Sequence, residues 1–314
     1  MDKETGGIKF RREGTEETME VACGQCLGCR LDRARMWAMR ITHEASLHAD
    51  SYGNSFVTLT YRPKEECNRE QLDQELHIPE DWSLRKQHFQ KFIKRLRKKL
   101  PDRKIKYFHC GEYGETCKHG INLKIAKCPL CNLGRPHYHA CLFNVSFDDL
   151  EAYATTNGTT RYTSKMLDET WKYGFVDVGK LEYQSAAYVA RYCLKKINGV
   201  NADDHYESVD LHGEITKLQP EYATMSNGVG KDWYQKYSAD VFPSDEVPVP
   251  GVGVIKKAPR YYEEMLKKTD PELYELIKEK RKQYKLENPE EFEPGRLMSK
   301  YKVKKAQTEQ LSRN

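Results

Sequence analysis

The stretch GRPHYHACLF, residues 134–143, sets His137 and His139 on either side of Tyr138. In a β-strand successive side chains point to opposite faces, so the two imidazoles share one face and the phenol takes the other. Their bases then stand about 6.6 Å apart, which lets two ring nitrogens converge on one ion at about 2.1 Å each. SAAYVARYCLKK, residues 185–196, supplies a second set of reactive groups. Tyr188 and Tyr192 lie four residues apart, so a helix stacks them on one face, with Lys195 on the same stripe. The apolar Ala186, Val189, Ala190, Cys193 and Ile197 fall about 140° away, so the tyrosines are not the core-facing residues of their helix. A phenol with a pKa near 10 attacks phosphorus poorly unless a metal, base or neighbouring cation assists it. A metal held by His137 and His139 would polarise a phosphodiester and stabilise the charge that develops on it, and two tyrosines permit two successive transfers.

Ten cysteines accompany these groups. The chain is long, its start MDKETGG is unlike a secretion signal, and the cysteines are closely spaced, which fits metal binding in a reducing compartment. Cys23, Cys26 and Cys29 in CGQCLGCR can present thiolates to one tetrahedral ion. A ferredoxin-type run would need another cysteine where Arg33 stands, so zinc is the expected ion. Its fourth ligand would come from elsewhere, with Cys67 and the later thiols as candidates. A second group, Cys117, His119, Cys128 and Cys131, includes the knuckle CPLC and predicts a zinc clip. The clip would close a connection between strands far longer than the usual hairpin loop of about 2–5 residues.

The elements that must carry these residues follow from pattern. NSFVTLTYR (54–62), KIKYFHCGEYG (104–114), PHYHACLFNV (136–145) and GFVDVGKL (174–181) read as strands, the middle two as antiparallel partners. Helices are predicted over residues 30–50 with Trp37, Ile41 and Ala45 on one side, around SKMLDETWKYG, and from Ser185. RKQHFQKFIKRLRKK (85–99) buries Phe89, Phe92, Ile93, Leu96 and Leu100, leaving Lys91, Lys94, Arg95, Lys98 and Lys99 in solvent as a face suited to a polyanion or simply to water. The result is an α+β fold, an antiparallel central sheet with flanking helices. Residues 1–52 form a cysteine-rich knuckle and helix, 53–240 the main domain with a zinc-binding insertion at 115–133, and 241–314 a linker and charged helical tail. The tail, with few apolar residues, is expected to lie on the main domain or stay partly disordered. The formal charge of +5, from 52 basic and 47 acidic residues, identifies no partner. No apolar run approaches the roughly 18 residues a membrane span needs, so a cytoplasmic protein is expected.

FVTLTY, HYH and YVARYCLKK, in that order, resemble the motifs of the HUH endonuclease superfamily. CGQCLGCR, GEYG, RPHYH and MSNGVG also look like segments of the replication initiators of gokushoviruses and related small single-stranded-DNA phages. The similarity runs from about Cys23 to Trp233. It implies a sheet with the histidine motif on a central strand and the tyrosine helix alongside, and Mg²⁺ or Mn²⁺ as the catalytic ion. It further implies a nick in single-stranded DNA at the phage origin, a 5′-phosphotyrosine link, a 3′-OH that primes rolling-circle synthesis, and closure of unit-length circles by the second tyrosine. A third metal ligand is expected in such a site, and Glu112 in GEYG is the choice, with Gln184 and Glu182 as alternatives. Lys195 or Lys196 would stabilise phosphate charge, and Thr58 and Thr60 are either strand filler or DNA contacts. Partners would be origin DNA, a host helicase and a host DNA polymerase, in the bacterial cytoplasm and away from membranes. The long cysteine insertion between GEYG and RPHYH departs from the family pattern. Two alternatives stay open, a non-enzymatic zinc-ribbon DNA-binding protein and a related HUH transposase or relaxase.

Overall fold

Alternate residues of NSFVTLTY are buried, and this segment becomes the central strand of a seven-stranded antiparallel sheet. The computed structural model describes residues 7–11, 18–24, 26–156, 158–192, 202–209 and 212–311. In chain order these form a hairpin of β1 (Gly7–Arg11) and β2 (Thr18–Ala22), helix α1 (Leu27–Ser46), strand β3 (Asn54–Tyr61) and helices α2 (Arg69–Asp73) and α3 (Lys86–Lys99). Strands β4 (Lys106–Cys117), β5 (Gly134–Phe143), β6 (Leu150–Thr156) and β7 (Thr159–Ser164) follow, then α4 (Lys165–Trp171), β8 (Gly174–Lys180) and α5 (Tyr183–Tyr192). Next come α6 (Ala202–Tyr206), β9 (Glu207–Val209), β10 (Ile215–Lys217), β11 (Tyr222–Met225) and α7 (Lys231–Val241). The chain continues through β12 (Glu246–Val249), β13 (Gly253–Lys256), α8 (Arg260–Thr269), α9 (Pro271–Glu287) and α10 (Pro294–Leu311).

Two compact units result, one from residues 1–36, 237–248 and 254–314 and the other from residues 37–236 with 249–253. The second unit contains the sheet, in the order β11-β4-β5-β3-β8-β7-β6. One face of it packs Val57, Leu59, Tyr138, Leu142, Val176 and Val178 against Phe89, Phe92, Ile93 and Leu96 of α3 and Leu167 and Trp171 of α4. The other face packs Phe108, Cys110, Cys141 and Phe143 against Ile41 of α1 and Ala186 and Val189 of α5, with Trp37 and Ala45 alongside.

The basic helix differs from expectation in two respects. Its apolar stripe is buried, but Arg95 is not in solvent: its guanidinium donates to the carbonyls of Thr170 and Trp171 at 2.7 and 3.1 Å, satisfying the end of α4. Lys91, Lys94 and Lys98 remain exposed. They sit on the side of the sheet opposite His137 and His139, because α3 packs on the Tyr138 face.

Two hairpins are additions to the expected elements. β6 and β7 extend the sheet to one edge, with a bulge between Ala152 and Ala154. Residues 242–259, expected as a linker, contain the two-stranded β12–β13 sheet. The first unit is also more ordered than a charged tail suggests. Tyr262, Leu266 and Ile277 of α8 and α9 are buried, and Arg281 clamps Asp245 at 2.7 and 2.9 Å and Glu263 at 2.6 Å.

Behind the histidine strand, hydrogen bonds fix Tyr138. Its hydroxyl donates to the Arg85 carbonyl and accepts from the Arg85 amide, both at 2.9 Å, and lies 2.7 Å from the Tyr61 hydroxyl. Tyr61 in turn meets His88 Nδ1 at 2.8 Å. Burial, reinforced by nearby Lys91 and Arg85, pushes the His88 imidazole down to about 4. On the other side, buried Glu44 of α1 accepts from the Gly230 amide and pairs with Lys106 of β4, each at 2.8 Å. Burial alone would raise its pKa, but His48, Lys106 and the Gly230 amide outweigh that and hold it below the ordinary value of 4.5.

Tyr138→Phe orphans the Tyr61 hydroxyl and both Arg85 backbone groups and should destabilise the sheet unit by about 1–3 kcal/mol, read as a lowered urea midpoint. Because Glu44 titrates lower folded than unfolded, its contribution is complete above about pH 4.5 and is lost as pH falls through the depressed value. Urea midpoints measured from pH 6 to pH 3 should fall, and Glu44→Gln should lower the midpoint at pH 6 while flattening that fall.

Candidate metal and tyrosine site

Strand period and register assemble the first site. On β4 and β5, Glu112 is paired with His137 and Cys110 with His139, so one carboxylate and two imidazoles occupy adjacent positions on one face. A single oxygen, Glu112 Oε1, lies 2.7 Å from His137 Nε2 and 2.9 Å from His139 Nε2. Glu112 and His139 are buried, and His137 is half-buried. Burial by itself would raise the Glu112 pKa, but the two imidazoles outweigh it and hold the carboxyl well below the usual range.

The far sides of the rings are also held. His137 Nδ1 faces the Arg135 carbonyl at 3.1 Å, and His139 Nδ1 meets Thr58 Oγ1 at 2.9 Å. His137 thus stands between two acceptors, a carbonyl and a carboxylate. Its ring either carries a proton on each nitrogen or keeps one on Nδ1 and turns an Nε2 lone pair toward a cation. The second arrangement is that of a metal ligand oriented by its outer hydrogen bond, so the donor set fits a divalent ion. Phe56 lies parallel to His139, ring centres 5.7 Å apart. A Cβ at Gly114 would come within 3.4 Å of His137 Cε1, so the glycine leaves that ring its space.

α5 brings a tyrosine to this cluster. Ala186, Val189 and Ala190 are buried, which turns Tyr188 outward, 38% exposed, with its ring centre 5.3 Å from that of His139 and 6.2 Å from that of Phe56. Tyr192 is the last residue of α5 and its side chain lies outside the described residues, as do Lys195 and Lys196. Of the alternative third ligands, Gln184 is exposed and Glu182 pairs with Lys180 at 2.7 Å. Thr58, open between filler and DNA contact on sequence grounds, orients His139. The expected motif gave no signal for this, because the register of β3 against β5 is what places the hydroxyl there.

The cysteines form two further groups. The potential ligand atoms of Cys117, His119, Cys128 and Cys131 lie within 4.8 Å of one another, and so do those of Cys23, Cys26 and Cys29. His119 Nδ1 is 3.3 Å from both Cys128 Sγ and Cys131 Sγ. Burial, then the neighbouring Cys128 and Cys117, push the Cys131 thiol up to about 12, so three thiols crowded here need a cation before all can ionise. This group closes the β4–β5 hairpin, where Cys117 pairs with Gly134 five positions beyond Glu112. Gly134 is required there, since a Cβ would fall 2.1 Å from the Gly114 carbonyl oxygen. In the other unit the Cys26 amide donates to Cys23 Sγ at 3.2 Å, and burial raises Cys29 to about 11. Cys67, considered as a fourth ligand, belongs to the sheet unit and donates to the Pro63 carbonyl at 3.4 Å. No helix among the described residues is long and apolar enough to cross a membrane.

The family model for the replication-associated protein ORF2 matches residues 54–197, an interval that contains Glu112, His137, His139 and Tyr188. The replication-associated protein ORF2 of Spiroplasma virus 4 is 34% identical over 269 residues, covering 83% of this chain and 72% of that one. VP4 of Bdellovibrio phage phiMH2K, also a replication-associated protein, is 34% identical over 258 residues, with 80% and 68% covered. ORF4 of Chlamydia phage 1, named likewise, is 28% identical over 254 residues, with 78% of this chain and 53% of that one covered. No solved structure matches the chain. A third or so of positions shared along most of the length, with the family model spanning the triad and the tyrosine, establishes that this chain belongs to the family of phage replication-associated proteins.

Proposed function

We propose that the chain is a replication initiator endonuclease of the HUH type. It nicks single-stranded DNA at the phage origin through Tyr188 or Tyr192, keeps the new 5′ phosphate on the phenol, and leaves a 3′-OH from which rolling-circle synthesis starts. The remaining tyrosine then attacks the regenerated origin and unit-length circles are closed. The observation that carries this reading is the meeting of a Glu112, His137 and His139 cluster with the Tyr188 ring, 5.3 Å from His139. A replication-associated protein acts on DNA, and a phenol beside a carboxylate–imidazole cluster is a means of cutting it.

Glu112, His137 and His139 would hold Mg²⁺ or Mn²⁺, which supplies Lewis-acid polarisation of the scissile phosphate. Thr58, Phe56 and the Arg135 carbonyl keep the two imidazoles in place. Tyr188 forms a bond to phosphorus as the bond to the 3′ oxygen breaks, and the leaving oxygen takes up a proton. One phosphoester replaces another, so no nucleoside triphosphate is consumed. Lys195 stabilises charge on the phosphate. The two cysteine groups hold structural zinc, the ion suited to thiolate and imidazole donors. A host helicase and DNA polymerase complete replication in the host cell.

Incubating the full chain with single-stranded oligonucleotides tiling a phage origin strand and Mn²⁺ should give a covalent adduct on denaturing gels, mapped by mass spectrometry to Tyr188 or Tyr192. Changing both to Phe should abolish it, and Glu112→Gln should slow it by about a hundred-fold or more. No adduct from folded, metal-loaded protein, with DNA binding retained in the double tyrosine variant, would instead identify a non-enzymatic binding protein. Elemental analysis of the purified chain should find tightly held zinc, and Cys128→Ser with Cys131→Ser should remove one equivalent. Zinc content unchanged by that pair of substitutions would exclude the clip.

A further inference from the structure

The face of the sheet that carries the triad is only half covered. Along β4 and β5 the rows Glu112, Cys110, Phe108 and His137, His139, Cys141, Phe143 pass from polar groups into the core beneath α1 and α5. Toward the other edge the same face continues through Thr58 and Thr60 of β3 to Asp177 and Phe175 of β8, which pair with them directly. Two large aromatic rings stand in solvent there, Phe175 at 46% and Tyr153 at 51% exposure. Each lies under a guanidinium: Arg62 is 5.3 Å from the Phe175 ring centre and Arg161 is 5.5 Å from that of Tyr153. Asp177 holds Arg161 at 2.7 Å, which fixes the guanidinium over its ring and offsets part of its charge.

We infer that Phe175 and Tyr153, with Arg62 and Arg161, form a base-stacking platform for single-stranded DNA running from the triad across β3, β8 and β7. Resting on the reading that the triad handles such DNA, this inference assigns the surface that grips the bases. Three observations select the occupant. The platform is continuous with the triad on one sheet face, and His139 to Arg161 crosses three inter-strand steps, about 14 Å. Its chemistry is paired ring and guanidinium planes, on which unpaired bases of any identity stack. The strongly basic surface of α3, formed by Lys91, Lys94 and Lys98, lies on the opposite side of the sheet and cannot serve a strand held at the triad. A base pair would present its edges and phosphates here, with its ring faces already stacked, so single strands are favoured over duplex.

The test compares fluorescein-labelled (dT)12 with an abasic oligonucleotide of the same length and charge, by anisotropy on the full chain without added divalent ion. The wild-type chain should bind (dT)12 at least ten-fold more tightly than the abasic probe. Phe175→Ala and Tyr153→Ala should each weaken (dT)12 binding by about ten-fold while leaving the abasic probe unaffected, since stacking contributes on the order of 1–3 kcal/mol per base. Phe175→Trp should retain (dT)12 affinity, with the introduced indole quenched on binding, and it reports even where an alanine variant folds poorly. Unchanged (dT)12 affinity in the alanine variants, equal loss for both probes, or an unquenched indole would overturn the platform. Covalent adduct formation is not part of this readout. Stacking without any adduct therefore counts against the nicking reading, and adduct formation with unaltered stacking counts against the platform alone.

Discussion

The two-residue period of β5 is the constraint on which the rest of the site depends. That one strand turns Tyr138 into the core and His137 and His139 out of it, and a slip of one residue would reverse both. The Tyr138 hydroxyl bonds to Arg85 and Tyr61 behind the sheet, so the register is pinned from the side that does no chemistry. Pairing with β4 then brings Glu112 opposite His137, and pairing with β3 brings Thr58 opposite His139. Four positions from three strands become one cluster because neighbouring strands are antiparallel and in register.

The core on each face shows the same economy. α3 and α4 cover the Tyr138 face with large side chains, and α1 and α5 cover the lower half of the histidine face. α5 does so with Ala186, Val189 and Ala190, small residues that let the helix lie close to the sheet. Its aromatic Tyr188 is left at the border between covered and open sheet, beside His139. Much of the positive charge of α3 is structural: Arg95 and Arg97 donate to backbone carbonyls at the ends of neighbouring segments.

What could be read from the sequence was whatever depends on local period. The HYH alternation, the stripe of Phe89, Phe92, Ile93 and Leu96, and the small-residue face of α5 are all set within a few residues. The cysteine groupings were legible for the same reason, since knuckle spacing is local. Glu112 could be chosen because a neighbouring strand ended in it. The roles of Thr58 and Arg95 were not legible, because each depends on an element distant in sequence. β11 is four residues long and gains its place only by pairing with β4. The β6–β7 hairpin is a different case: LEAYATT and TTRYTS are too polar to read as strands, yet Asn157-Gly158 between them is a strong hairpin signal that outweighs that polarity.

The bulge at Ala152 and Ala154 has an effect beyond aiming Tyr153. β6 is the outermost strand of the sheet, and an outermost strand offers a row of unsatisfied amides and carbonyls to any passing chain. An extra residue in that row breaks its spacing and twists it, so a second molecule finds no straight template on which to add. The irregularity thus guards against fibrous self-association, which would matter most in an infected cell where many copies are made at once.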